Sequence, residues 1–224
     1  MKVTFDHVQP IANNIFTFWF STPAMPHYKA GQFIELVVPH DNKDDRGEKR
    51  WFTLSSAPTE PLLAITTKFA TDNGSSFKAA LRKLEPGAEL NMASPIGDFT
   101  LPKDAANRLV MIAGGIGSTP YRSMVKYLQD SGEQRPVTLL YTANTAADVA
   151  FHDIFDKLGD NLKTVIGEQL TAKKILELTG HDDNQTYYIS GPEPMVEALG
   201  DGLKAAGVNK KLVKADYFPG YTAI

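Results

Sequence analysis

Leu109-Val110-Met111-Ile112-Ala113-Gly114-Gly115-Ile116-Gly117-Ser118-Thr119-Pro120-Tyr121 decides how the chain folds. The first five residues form an unbroken apolar run, which suits a strand covered on both faces. An amphipathic stretch to Leu128 follows, so the glycines stand at a strand-to-helix turn. Glycines there let the backbone approach a ligand, and the free N–H groups at a helix start favour a pyrophosphate. Pro120 stands where the first helical turn tolerates proline. A tight turn needing positive φ would account for a bare glycine cluster as well. The run lacks the G-x-G-x-x-G spacing of the common dinucleotide fingerprint, so the loop is related to it but distinct.

A second turn of the same kind follows a late strand, in Tyr187-Tyr188-Ile189-Ser190-Gly191-Pro192-Glu193-Pro194-Met195. Two such turns at the carboxyl ends of strands in one parallel sheet border the crevice where open α/β sheets bind ligands, with Ser190 pointing at it. Around them, strands over 109–113, 137–141, 162–166, 187–189 and 212–215 alternate with helices starting near 120, 151, 172 and 193. That is the rhythm of βα units. Before Leu101-Pro102-Lys103-Asp104 the pattern is different, with short strands over 2–8, 15–20, 33–38, 52–55, 63–69 and 89–93 and one helix over 76–84. Evenly spaced strands broken by Pro and Gly favour a small antiparallel barrel. The expected architecture is therefore an antiparallel β-barrel domain, residues 1–103, followed by an α/β parallel-sheet domain, residues 104–224.

Composition excludes whole classes of chemistry. The 224 residues contain no cysteine, which rules out disulfides, thiolate-held zinc or iron–sulfur clusters and a cysteine nucleophile. Redox chemistry would then need a bound organic cofactor. With 23 Lys+Arg against 26 Asp+Glu and no dense basic run, nothing attracts nucleic acid or an anionic membrane. No run approaches a membrane span and MKVTFDHVQP is not a leader, so the expected location is cytoplasmic. The histidines are scattered without metal-ligand spacing, and no metal site is expected. The loop 40–49 alternates charge signs and reads most simply as a solvated loop.

In the first half, Arg50-Trp51-Phe52-Thr53-Leu54-Ser55 combines a cation, aromatic rings and hydroxyls on one strand. Alternation places Arg50, Phe52 and Leu54 on one face and Trp51, Thr53 and Ser55 on the other. An edge strand with a snorkelling arginine is the ordinary reading. The functional one is a site for a flat anionic cofactor, with arginine on phosphate and an aromatic on the ring. Asn73-Gly74-Ser75-Ser76 would add a helix N-terminus for the same phosphates.

Taken in order, these segments resemble the ferredoxin-NADP reductase superfamily of flavoproteins along essentially the whole chain. Ala30-Gly31-Gln32-Phe33 resembles its Pro-Gly-Gln-Phe, Arg50 to Thr53 its Arg-x-Tyr-Ser/Thr flavin motif, and Gly74 to Phe77 its pyrophosphate loop. Pro95 to Phe99 is similar to Pro-x-Gly-x-Phe, Gly114 to Pro120 to Gly-Gly-x-Gly-x-x-Pro, and Ser190-Gly191-Pro192 to its Cys-Gly-Pro turn. The resemblance implies FAD in the barrel, NADH or NADPH on the α/β domain, and hydride transfer between them in the cleft. By position it assigns Arg50 to the flavin pyrophosphate, Phe52 to the isoalloxazine face, Thr53 to flavin N5, and Gly74, Ser75 or Ser76 to a second phosphate contact. Trp51, and Thr67 and Lys68 on the preceding strand, are further cofactor candidates. Gly115, Thr119, Asn144, Gly191 and Pro192 would hold the dinucleotide, with Ser190 at the nicotinamide end. Asp216 would be the site acid. Phe218 would cover the flavin, unless Tyr221 in the tail takes the stacking role.

Departures from the family pattern sharpen the expectation. Ser190 stands in place of cysteine and Phe52 in place of tyrosine. Where NADPH-using relatives place arginines, this chain has Asn144 and Glu168, and a carboxylate repels a 2′-phosphate, so NADH is favoured. The expected function is an FAD-dependent NAD(P)H oxidoreductase serving a separate acceptor: a ferredoxin, a flavodoxin, a partner oxygenase or a small molecule. With no cysteine and no spare length, no fused cluster domain is expected. Two rivals stand beside it: a flavin-holding electron conduit or regulatory subunit of a larger complex without its own turnover, and a nucleotide-binding protein without flavin. FAD against FMN, the acceptor and the oligomeric state are left open.

Overall fold

Alternation of apolar side chains builds the first sheet. The computed structural model describes residues 1–70 and 74–218. In β1 (Lys2–Ala12) Val3 and Phe5 face inward, in β2 (Ile15–Ser21) Phe18 and Phe20, and in β3 (Phe33–Val37) Ile34 and Leu36. β4 (Lys49–Thr53), β5 (Leu63–Lys68) and β6 (Glu89–Met92) complete an antiparallel sheet of order β4-β3-β6-β1-β2-β5. The sheet curls into a barrel-like shell without full closure, and a single bridge, Leu54 to Ile65, joins its edges at one end. The short helix α1 (Ser76–Arg82) buries Phe77 and Leu81 in the shell.

The second sheet is parallel and covered on both faces, as its continuous apolar strands require. Its elements are β7 (Arg108–Gly114), α2 (Thr119–Ser131), β8 (Val137–Ala143), α3 (His152–Phe155), β9 (Leu162–Ile166), α4 (Ala172–Thr179), β10 (Gln185–Pro192), α5 (Glu193–Ala205) and β11 (Val213–Phe218). Period-two alternation divides β7 between two cores. Leu109, Met111 and Ala113 face α2 and α3, whereas Val110 and Ile112 face α4 and α5. The strand order is β11-β10-β7-β8-β9, so the chain leaves β7 to one side and returns on the other. The ends of β7 and β10 therefore flank a topological switch point. No helix among the described residues is long and apolar enough to cross a membrane.

Local differences from the sequence expectation have physical causes. The strand expected over 52–55 is β4, because pairing of Thr53 with Phe33 through Lys49 with Val37 fixes its length. Ser55 has left that ladder and donates its N–H to Ala64 instead. The helix expected from 151 is only the short α3, followed by 3-10 turns over Asp156–Asn161 in which Gly159 breaks the helical backbone.

The two sheets are fastened to each other by polar contacts around α2. The Arg122 guanidinium donates to the Ser55 carbonyl at 3.0 Å and forms a two-pronged ion pair with Glu60, one arm at 2.8 Å. The side chains are 8% and 11% exposed. Ser123 donates to the Ser56 carbonyl at 2.6 Å, Tyr188 to the Thr100 carbonyl at 2.8 Å, and Lys68 faces Asp148 at 3.4 Å. Ile15, Ala30 and Phe99 of the first half join the apolar core under α2. Removing one member of a buried pair strands the other charge, which typically costs about 3–5 kcal/mol. Arg122→Met should lose stability on that scale in urea denaturation, and Glu60→Gln in the same chain should recover most of it; an additive double mutant would show that the pair is not coupled.

Candidate functional site

The two glycine turns lie against each other at the switch point. β7 ends at Gly114, a 3-10 turn covers Gly115–Ser118, and α2 begins with Pro120 in its first turn. A Cβ on Gly117 would stand 2.2 Å from the Ser190 carbonyl oxygen and 2.6 Å from the Gly191 nitrogen. A Cβ on Gly191 would meet the Gly114 Cα at 3.1 Å. Backbone excludes a side chain outright at Gly117 and leaves little room for one at Gly191, so these glycines interlock the two loops. Gly115 takes φ +52°, the left-handed region that glycine adopts without strain. Thr119, Gly191 and Pro192 are buried in the same floor.

Tyr121 locks this arrangement from beneath, its hydroxyl lying 3.1 Å from the Ile112 carbonyl and 2.9 Å from the Tyr188 carbonyl. Tyr141 does the same on the other side, lying 3.1 Å from the Ser118 hydroxyl and accepting from the Ala150 N–H. Sequence reasoning did not single out these tyrosines as positioning residues. The available signal was a phenol in each of two otherwise apolar, fully covered segments, because a buried hydroxyl needs a partner.

On β10, Ser190 sits between Ala113 of β7 and Asp216 of β11 in the ladder. Its hydroxyl is fully buried and has no partner among the described residues. Burial pushes the Asp216 carboxyl up to about 6, and Asp98, from the first half of the chain, adds to the rise. Asp216 can therefore hold a proton near neutral pH.

A cavity of about 450 Å³ opens beyond these loops at the carboxyl ends of β8, β9 and β10, lined by Thr142, Asn144, Glu168, Pro192, Met195 and Leu199 among others. Asn144 and Glu168 are both exposed at its rim. A cavity of about 460 Å³ lies at the opposite, amino ends of the strands, around Arg108 and Pro136, and none of the residues 114–120 or 190–195 lines it.

The barrel candidates divide into groups. Arg50 and Phe52 share a face, both set against Phe77: the guanidinium carbon is 5.2 Å from its ring centre and the Phe52 ring 5.8 Å. Thr53 is buried at the end of the same strand. Trp51 lies on the opposite face, 55% exposed and edge-on to Phe33, and the structure does not bring it to Phe52. Thr67 is buried in β5, and the Lys68 ammonium faces Asp148 of the second half. Gly74 is exposed; Ser75 caps α1 by accepting from the Lys78 N–H, and the Ser76 hydroxyl accepts from the Asp44 N–H at 2.9 Å. The loop 40–49 is thus not merely solvated. Asn73, Tyr221 and the Phe218 side chain lie outside the described residues.

Comparison with known proteins agrees with this geometry. Residues 111–169 match the family described as the oxidoreductase NAD-binding domain. Over 211 residues the chain is 28% identical to the glycine betaine monooxygenase reductase subunit of Chromohalobacter salexigens, covering 86% of this chain and 56% of that protein. It is 26% identical over 218 residues to the propane 2-monooxygenase reductase component of Mycolicibacterium goodii, covering 88% of this chain and 60% of that protein. The chain thus spans less than two thirds of the length of these curated relatives. Among solved structures, phthalate dioxygenase reductase superposes with a TM-score of 0.81 at 21% identity, over 97% of this chain and 67% of that one. Ferredoxin-NADP+ reductase from Plasmodium falciparum gives 0.80 at 18% identity, over 97% and 95%. The chain thus shares the two-sheet fold of these reductases.

Two predictions test the site in the free protein. The folded-state pKa of Asp216 is raised, so its ionisation destabilises the fold progressively from about pH 4 to pH 6 and by a constant amount above. Asp216→Asn should raise Tm at pH 7.5, with the gain shrinking toward pH 4.5; equal Tm at pH 7.5 would refute the assignment. Ser190→Ala removes an unpartnered buried hydroxyl and should leave the free protein as stable as the parent or more so in denaturant titration; a clear loss of stability would show that the hydroxyl has a partner.

Proposed function

We propose that the chain binds FAD along β4 and a reduced nicotinamide nucleotide in the crevice above β7 and β10, residues 1–103 serving the flavin and 104–224 the nucleotide. The proposed activity is NAD(P)H oxidation, with electrons delivered to a separate acceptor. The observation that carries this reading is the Ser190 hydroxyl, fully buried without a partner beside an acid able to hold a proton. A buried polar atom left unmade costs free energy that a bound polar group restores, and this one stands at the switch point where such sheets take their ligands.

The two cofactors would supply the hydride chemistry itself, and the protein the orientation and electrostatics. In this reading Arg50 binds the flavin pyrophosphate, Phe52 offers its ring face, and Thr53 presents a hydroxyl to the ring system. Ser75, Ser76, Thr67 and Lys68 are further candidates, each held by a structural partner or buried, as Arg50 itself is held by Asp44 and by loop carbonyls. Gly115, Thr119, Gly191 and Pro192 hold the dinucleotide at the floor, and Ser190 orients its reactive end. Asp216 holds or yields a proton at its carboxyl.

Asn144 and Glu168 at the rim of the 450 Å³ cavity favour a nucleotide with free ribose hydroxyls, hence NADH. The relatives named as reductase parts of monooxygenases support a protein acceptor, either an electron carrier such as a ferredoxin or flavodoxin or an oxygenase component. The proposed location is the cytoplasm, where reduced nicotinamide nucleotides are generated.

Anaerobic titration tests the whole reading. NADH should bleach the visible flavin band of the purified protein, and Ser190→Ala should slow that bleaching while leaving flavin content unchanged. A yellow protein that neither NADH nor NADPH reduces would favour the electron-conduit reading, and a colourless one that cannot be loaded with FAD would end the flavin assignment. Glu168→Arg should move the NADH:NADPH ratio of kcat/KM toward NADPH by about 10- to 100-fold, the worth of one charge-assisted hydrogen bond.

A further inference from the structure

Asp44 lies in the middle of the charged loop between β3 and β4, and its carboxylate is surrounded by donors. One oxygen accepts from the Arg46 N–H at 3.0 Å and from Arg50 Nη2 at 3.3 Å. The other accepts from Arg46 Nη2 at 2.9 Å and from the Ser76 N–H at 3.0 Å. The loop is fastened a second time where the Ser76 hydroxyl accepts from the Asp44 N–H at 2.9 Å and lies 3.0 Å from His40 Nε2. Arg50 is occupied further by the carbonyls of Arg46, Gly47 and Lys49, at 2.6, 3.1 and 2.6 Å. These donors hold the Asp44 carboxyl well below the usual carboxylate range, the Arg46 side chain most of all.

A guanidinium, a backbone N–H and a second arginine converging on one anion are what a phosphate group requires. Two of those donors, on Arg50 and Ser76, belong to the residues assigned to the flavin phosphates. An anion from outside cannot share them with a carboxylate already seated at hydrogen-bonding distance, because like charges that close repel.

We propose that the Asp44 carboxylate fills the flavin-phosphate position of the free protein, so that the loop 40–49 must release Arg50 and Ser76 before a flavin nucleotide can bind. Asp44 then sets flavin-nucleotide affinity by competition. The inference rests on the reading of β4 as the flavin strand, and it has a specific signature: it acts on flavins that carry phosphate and not on riboflavin, which has none.

The experiment is fluorescence titration of FAD and, separately, riboflavin into the flavin-stripped full chain and its Asp44→Asn and Asp44→Ala variants, with circular dichroism confirming that each is folded. Both variants should bind FAD about tenfold or more tightly than the parent, the worth of a charged contact no longer displaced, with riboflavin affinity unchanged. Unchanged or weakened FAD binding would overturn the proposal, showing that Asp44 supports Arg50 and does not compete for it. A chain that binds neither flavin in any form would overturn the flavin reading itself. As a second readout on the parent, FAD but not riboflavin should speed tryptic cleavage after Arg46 or Lys49; protection of those bonds would count against release of the loop.

Discussion

The ion pair between Arg122 and Glu60 fixes the relation on which the rest of the site depends. Arg122 belongs to the first turn of α2, directly after the glycine floor, and it also holds the carbonyl of Ser55, just beyond the end of β4. A single guanidinium thus sets the distance between the glycine turn before α2 and the end of β4, the two segments between which the proposed cofactors would meet. Its position over the Trp19 ring, 5.4 Å from guanidinium carbon to centroid, adds an apolar wall. Hydride transfer demands that two flat groups meet at contact distance, and such alignment has to come from rigid elements.

The floor is rigid for a different reason. At Gly117 two backbones approach more closely than any side chain permits, at Gly191 they are nearly as tight, and Tyr121 sits beneath both strands. Little is left to adjust at the glycine turns, whereas Asn144 and Glu168 stand exposed around the cavity. On the proposed reading, selectivity for the far end of a nucleotide can change at Asn144 and Glu168 without disturbing the packed glycine turns.

Much of this architecture was legible in the residues. Continuous apolar runs such as 109–113 announced a parallel sheet, and the clean alternation of Phe33 to Val37 announced an antiparallel one, because burial on two faces or one leaves different patterns. Hidden from the sequence was whatever depends on partners distant along the chain. The alternating charges of 40–49 looked like a water-facing loop, but Asp44 and His40 find their partners on Ser76 and Arg50, which no local pattern reports. Lys68 read as a phosphate candidate, and no local pattern reports that its ammonium also faces Asp148, 80 residues further along the chain. Arg122 went unremarked because an arginine within an amphipathic helix normally faces solvent, and only the neighbouring half of the molecule makes it a buried clamp.

The interlocked glycines also impose an order on how the molecule is made. The turn after β7 cannot reach its final shape until the Ser190–Gly191 backbone lies against it, and that segment is synthesised much later. The barrel strands and the residues that meet Arg122 leave the ribosome first, with the glycine turn next. The two turns close on each other only once β10 has inserted beside β7, a pairing of high sequence separation and so of slow formation. Until then β7 has an unpaired edge of apolar residues, the part of this chain most in need of protection during its synthesis.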